Sequence, residues 1–212
     1  MRSAAAFAAL LVVLASGATS PPPRLGGWIT VSDSLAQVWP VADTFRYPVG
    51  DPNEFGLPSK PGGRSFTVLR GVSAGHDTIP PHQGADLGCG VGGDTVRAAA
   101  AGIVVNGRGT WQAGYGYYVT LAHHLADGTL IYTVYAHLRK GSVRPRAATV
   151  IRAGAPVGRV GRTGRATAPH LHFEVRRPSD PYDRWENAEV ESPLDFVRRH
   201  LHARSRSGTP GP

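Results

Sequence analysis

Ala168-Pro169-His170-Leu171-His172-Phe173-Glu174-Val175 is a short apolar stretch carrying two histidines one residue apart. Residues i and i+2 share a face in an extended strand. His170 and His172 therefore lie on one side, while Leu171 and Phe173 point to the other and can enter a core. The surrounding sequence has the same character. From about Phe45 to Val175 it is rich in Val, Ile and Thr and broken by Gly and Pro, and 27 Gly with 18 Pro in 212 residues suits short strands and many turns. Val96–Val105, Tyr117–Ala122, Leu130–Leu138, Pro156–Val160 and Leu171–Val175 read as strands, with Ala126-Asp127-Gly128 as the hairpin turn between the second and third. Ser192–Leu201 opens on a Ser-Pro pair and reads as a short closing helix, with Leu194, Val197 and Leu201 on one face.

Upstream, Pro81-His82-Gln-Gly84-Ala-Asp86-Leu-Gly88 repeats the logic of the first stretch. Its strand-like spacing puts His82 and Asp86 on one side, with Gly84 between them leaving space. Alone, either pair is more often a polar face than a metal site. Together, and with a further histidine in Thr133-Val-Tyr-Ala-His137-Leu138, they point to a metal. Imidazole nitrogen and carboxylate oxygen suit zinc, and catalytic zinc sites commonly use three protein ligands and keep one position open.

In order along the chain stand His82-Gln-Gly-Ala-Asp86, Tyr135-Ala-His137-Leu138 and GRTGRATAPHLHFEV (Gly161–Val175). Between them come VRAAAAGIV (Val96–Val104), GYGYYVTL (Gly114–Leu121) and RAGAPVGRVG (Arg152–Gly161). This series closely resembles the lysostaphin-type zinc endopeptidases of bacterial cell walls, over roughly Phe45 to Arg176. The resemblance implies a mainly β fold, an antiparallel sheet forming a groove with a short C-terminal helix. It implies one zinc ion on His82, Asp86 and His172, and catalytic roles for His137 and His170. These two would serve as the base that takes a proton from zinc-bound water and as the group that steadies the oxyanion or protonates the leaving amine. The implied substrate is the peptide cross-links or stem peptides of peptidoglycan. The chain departs from the family at Ala168, where Gly is frequent, at Tyr117, where Asn is frequent, and in a longer hairpin after His123–His124. Some relatives use a Tyr upstream of the first ligand; Arg70 and His76 are the candidates here.

The rest of the sequence bounds the setting. Arg2, the apolar run Ala4–Ala15 and the small residues Ser16-Gly17-Ala18 read as a signal peptide over residues 1–18. The run is about 12 residues, short of the roughly 20 that span a bilayer, so no transmembrane segment is expected in the mature chain. A short segment (19–44), the metallopeptidase domain (45–178), an extension with the closing helix (179–202) and a disordered tail (203–212) would follow. With 41% hydrophobic and 18% charged residues the chain can bury a core, and one cysteine, Cys89, read as a small buried hydrophobe, allows no internal disulfide. The net charge of +8 favours polyanions. Export and the lack of a nucleic-acid motif argue against nucleic acid and for anionic wall polymers.

The remaining candidates are read as structural. His123 and His124 end a strand at a turn, and His200 and His202 sit among arginines at a helix end. Glu174, with Phe173 between it and the ligand, is read as turned from the ligand face, a contact behind a histidine being the alternative. Trp111 and Tyr115 are candidate groove walls. The rival to an enzyme is a silent, wall-binding regulator of another hydrolase, its groove blocked by Asp51–Gly75. The complete set of ligands favours the enzyme.

Overall fold

The computed structural model describes residues 38–50, 67–73, 81–88, 92–180 and 183–201, without the side chains of residues 67–70. The leader, the Pro-rich joint, His76, Cys89, His202, the C-terminal tail and most of the segment expected to block the groove lie outside the described residues. The described residues form β1 (Thr67–Arg70), β2 (Ala85–Gly88), β3 (Thr95–Arg97), β4 (Gly102–Asn106), β5 (Trp111–Gln112), β6 (Gly116–His124), β7 (Leu130–Leu138), β8 (Val150–Ile151), β9 (Pro156–Arg159), β10 (Leu171–Arg177), β11 (Glu189–Glu191) and one helix, α1 (Pro193–His200). No described helix is long and apolar enough to cross a membrane.

The main sheet is antiparallel and runs β1-β2-β10-β7-β6-β4-β8, with β11 added to β10 and β5 to β6. β3 and β9 form a separate ribbon. At its centre is the β6–β7 hairpin, closed as expected at Ala126-Asp127-Gly128. Gly128 takes φ 84°, and the Asp127 carboxylate accepts the Thr129 N–H at 2.9 Å, so the turn needs these residue types. Every residue of β7 is buried, because the sheet is covered on both faces. One face meets Phe45, Leu87, Val119, Tyr135, Phe173 and Phe196; the other meets Trp39, Ile103, Tyr118, Tyr132 and Trp185.

The expected strand Val96–Val105 is two strands. β3 pairs with β9 and β4 with β6, and the chain passes between the two ladders at Ala98-Ala99-Ala100, all fully buried. Only small residues fit this crossing: the Ala99 N–H donates to the Tyr135 hydroxyl at 2.8 Å, and a Cβ at Gly102 would sit 2.3 Å from the Ala122 carbonyl. The closing helix forms where expected, with Ser192 as N-cap and Pro193 in the first turn. Its buried side chains are Pro193, Phe196 and Val197, whereas Leu194 and Leu201 are only partly covered. Phe45, in the chain leading into the domain, packs edge-on to Phe196 at 4.9 Å and to His123 at 5.1 Å.

Candidate metal centre

β10 lies between β2 and β7, and its register sets the site: His172 stands opposite Asp86 on one side and Ala136 on the other. His82 precedes β2 and is fixed by a two-way backbone pairing with Ser73 at 2.9 and 3.0 Å. The chain bends at Gly84, so His82 and Asp86 do not share one continuous strand. A Cβ at Gly84 would lie 2.5 Å from the Phe173 carbonyl and 2.9 Å from both the His172 ring and the Glu174 side chain. Glycine is needed there because β10 presses against the backbone.

The three side chains converge. His82 Nε2 lies 3.0 Å from Asp86 Oδ1 and 3.1 Å from His172 Nδ1, and His172 Nδ1 lies 2.9 Å from Asp86 Oδ1. All three ligand atoms fall within 4.8 Å of one another. Each ring is aimed from behind. His82 Nδ1–H donates to the Gly71 carbonyl at 2.8 Å, and His172 Nε2–H donates to Glu174 Oε1 at 2.9 Å. Those partners turn His82 Nε2 and His172 Nδ1 towards the Asp86 carboxylate oxygen, the atoms with which they would hold a cation. Two imidazole nitrogens and one carboxylate in this arrangement fit a zinc-sized divalent cation. The charge agrees. Burial would raise the Asp86 carboxyl, but hydrogen bonds from His170 and His172 and the charges of His172 and His82 hold it far below the usual range. Burial would likewise lower His172, yet its bonds to Asp86 and Glu174 raise it to about 9.

Glu174 does not turn from the ligand face. Residues 172 and 174 have the same parity on β10, and Glu174 is fully buried behind His172. Its Oε1 also accepts from the Tyr115 hydroxyl at 2.8 Å, and its Oε2 from Arg176 Nε at 2.5 Å. Arg176 in turn donates to Gln83 Oε1 at 2.6 Å and to the Glu186 and Ala188 carbonyls at 3.3 Å each, its guanidinium 5.6 Å from the Trp185 ring centroid. The contact behind His172 is the alternative given for Glu174 from the sequence, whereas its links to Tyr115 and Arg176 were not foreseen. The signal for that contact was the strand parity that also picked out His170 and His172.

His137 reaches the site through an irregularity. Tyr117 pairs with Leu138 and Val119 with Tyr135, so β7 carries one residue more than β6 between these pairs. His137 takes φ 60° there, a left-handed conformation uncommon outside glycine. In consequence Leu138 returns to the core and His137 joins the groove. Thr163 secures it: its carbonyl accepts His137 Nδ1–H at 2.8 Å, and its hydroxyl donates to the Leu138 carbonyl at 2.7 Å and accepts the Tyr117 N–H at 3.1 Å. Burial lowers His137 to about 4. The His170 ring centroid is 4.8 Å away; its Nδ1–H donates to the Ala168 carbonyl at 2.8 Å, and its Nε2 lies 3.5 Å from Asp86 Oδ1. Burial would lower His170, and the Asp86 carboxylate raises it.

One groove of about 450 Å³ is lined by Asp86, His137, His170 and His172, with Tyr115 on one wall and Arg165 and Thr167 on another. Trp111 is outside this lining and 56% exposed. His123 is fully buried, and His124 packs on Trp39, structural places as expected. His200 stacks on Phe196 at 4.1 Å. The side chain of Arg70 lies outside the described residues, as does His76.

Residues 80–184 match the family model of Peptidase family M23. They form an M23 peptidase domain. Over 90 residues the chain is 42% identical to the DD-carboxypeptidase/endopeptidase Mpg of Neisseria meningitidis serogroup B, which is 42% of this chain and 19% of that protein. Over 97 residues it is 34% identical to the peptidoglycan DD-endopeptidase ShyA of Vibrio cholerae serotype O1, 46% of this chain and 20% of that protein. The match thus spans about a fifth of these curated relatives. The M23 domain is also similar to the catalytic domain of the antimicrobial peptidase lysostaphin from Staphylococcus simulans, with a TM-score of 0.52 and 26% identity over 63% of this chain and 92% of that one. The expected mainly β, lysostaphin-type fold is the one observed.

Proposed function

We propose that the chain is an exported, zinc-dependent endopeptidase that hydrolyses stem peptides or peptide cross-links of peptidoglycan. The observation that carries this reading is the convergence of His82 Nε2, Asp86 Oδ1 and His172 Nδ1 within 4.8 Å of one another, in a groove that also holds His137 and His170. The names of the related wall peptidases support the substrate class, and the leader-like residues 1–18 support export. The boundaries 45–178 for the catalytic unit and 179–202 for the extension belong to the same proposal.

His82, Asp86 and His172 would hold the ion. Zinc so bound supplies Lewis acidity, polarising a peptide carbonyl and making water a nucleophile near neutral pH. Glu174 and Gly71 fix which nitrogen each ligand ring presents. Hydrolysis moves one proton from water to the leaving amine. His137, kept neutral by burial and with Nδ1–H committed to Thr163, has only Nε2 with which to take or steady a proton. His170, also anchored through Nδ1, presents Nε2 to the same space. These two residues carry the proton and stabilise the oxyanion between them.

Digestion of purified peptidoglycan by the full chain tests this, with released fragments identified by mass. New amine ends should appear, vanish with a chelator, return with zinc, and be lost in His170→Ala while that variant still binds zinc. Tight binding of one zinc without cleavage of several wall chemistries would replace the enzyme with the silent regulator.

A further inference from the structure

Among the described residues, the groove contains one arginine that its own chemistry does not use. Of its charged lining, Asp86 faces the candidate ligands, and Glu174 is engaged by His172, Tyr115 and Arg176. Arg165, two residues from Thr167, lines the same space. Both are exposed, and neither the Arg165 guanidinium nor the Thr167 hydroxyl has a partner among the described residues. The loop that presents them is held firmly. The Arg165 N–H donates to the Gly114 carbonyl at 2.9 Å, and Gly164, at φ 72°, lies so close to the facing loop that a Cβ would meet the Gly116 nitrogen at 2.3 Å. A planar guanidinium and a hydroxyl presented from a fixed loop into a peptidase groove match an oxyanion, with the guanidinium fork suited to a carboxylate.

We infer that Arg165 and Thr167 form a subsite for a carboxylate of the substrate peptide. The inference rests on the proposed peptidase activity and narrows it. The preferred substrate is a stem-type peptide bearing a free carboxylate near the cut bond, rather than an uncharged oligoglycine bridge. The carboxylate is either the chain terminus or a side chain.

The test gives the zinc-loaded full chain a synthetic stem peptide ending in D-Ala–D-Ala and a twin with every carboxylate converted to carboxamide. Two further peptides are amidated only at the terminus or only on side chains. The carboxylate peptide should be cleaved with kcat/KM about tenfold above its fully amidated twin, the scale of one charge-assisted contact in a partly open site. Arg165→Gln should bring that ratio to near one, Arg165→Lys should keep part of it, and Arg162→Gln, the same charge change outside the groove lining, should leave it intact. The singly amidated peptides identify which carboxylate is read. Equilibrium binding of the same peptides to the zinc-stripped chain should show the same ratios without any turnover. A native chain indifferent to amidation, or a preference that survives Arg165→Gln, overturns the subsite. Preference in binding with no cleavage would instead overturn the peptidase reading and keep the subsite.

Discussion

A histidine that offers Nδ1 to a cation needs something to occupy its Nε2, and in this chain Glu174 does so for the candidate ligand His172. The carboxylate also faces Arg176, so a neutral amide at position 174 would weaken the electron donation to His172 and leave a buried cation without its charge partner. Glu174→Gln should lower zinc affinity about 10- to 100-fold, measured by competition with a chelator well below the unfolding temperature. An unchanged affinity would reduce Glu174 to a packing residue. The five candidate residues that line the groove were legible in the sequence because histidines at strand spacing are unusual and matched a family pattern in order. Glu174 was as legible by parity and was assigned to the wrong face. His82 and Asp86 converge as expected, but through a bend at Gly84 rather than along one strand, because β10 crosses too close for a side chain there.

At the level of elements, the loops around Gly116 and Gly164 matter as much as the strands. They touch backbone to backbone, and Thr163 between them is the anchor of His137. A methyl at position 164 has no room and sits on positive φ, so Gly164→Ala should displace Thr163 and His137 while leaving the ligand triad in place. The expected result is a fall in kcat of at least about tenfold with zinc content unchanged. Loss of zinc together with activity would show that the loops brace the whole site instead. The longer strands were legible because each is a run of β-branched, aromatic and other apolar residues bounded by turns. β1, β5, β8 and β11 were not, since ladders of two to four residues exist through their neighbours and not through their own periodicity. The crossing at Ala98–Ala100 was hidden for the opposite reason: its apolar run continues smoothly from one ladder into the next.

For the molecule as a whole, one buried polar residue placed to register acid is His123. It donates from Nδ1 to the Ala101 carbonyl at 2.8 Å, and its Nε2 lies 2.8 Å from the Thr133 hydroxyl, which pairs with that of Tyr135. Burial lowers its pKa from 6.5 to about 4. Below about pH 6.5 the unfolded chain takes up a proton that the native one refuses, so this contribution is intact above that pH and is lost as the pH falls towards 4. The loss approaches roughly 3 kcal/mol. Denaturant midpoints between pH 7 and 4.5 should fall more steeply for the native chain than for His123→Gln; parallel curves would show that His123 takes the proton without unfolding. Burial of this kind was not legible, because two adjacent histidines before a turn look the same whether solvated or enclosed. The slip in β7 has a wider consequence. Removing the single codon for residue 137 would let β6 and β7 pair without interruption, giving a smoother sheet and a site with one histidine fewer. The candidate ligands stand on other segments, so one small deletion would separate holding a cation from whatever His137 adds beside it.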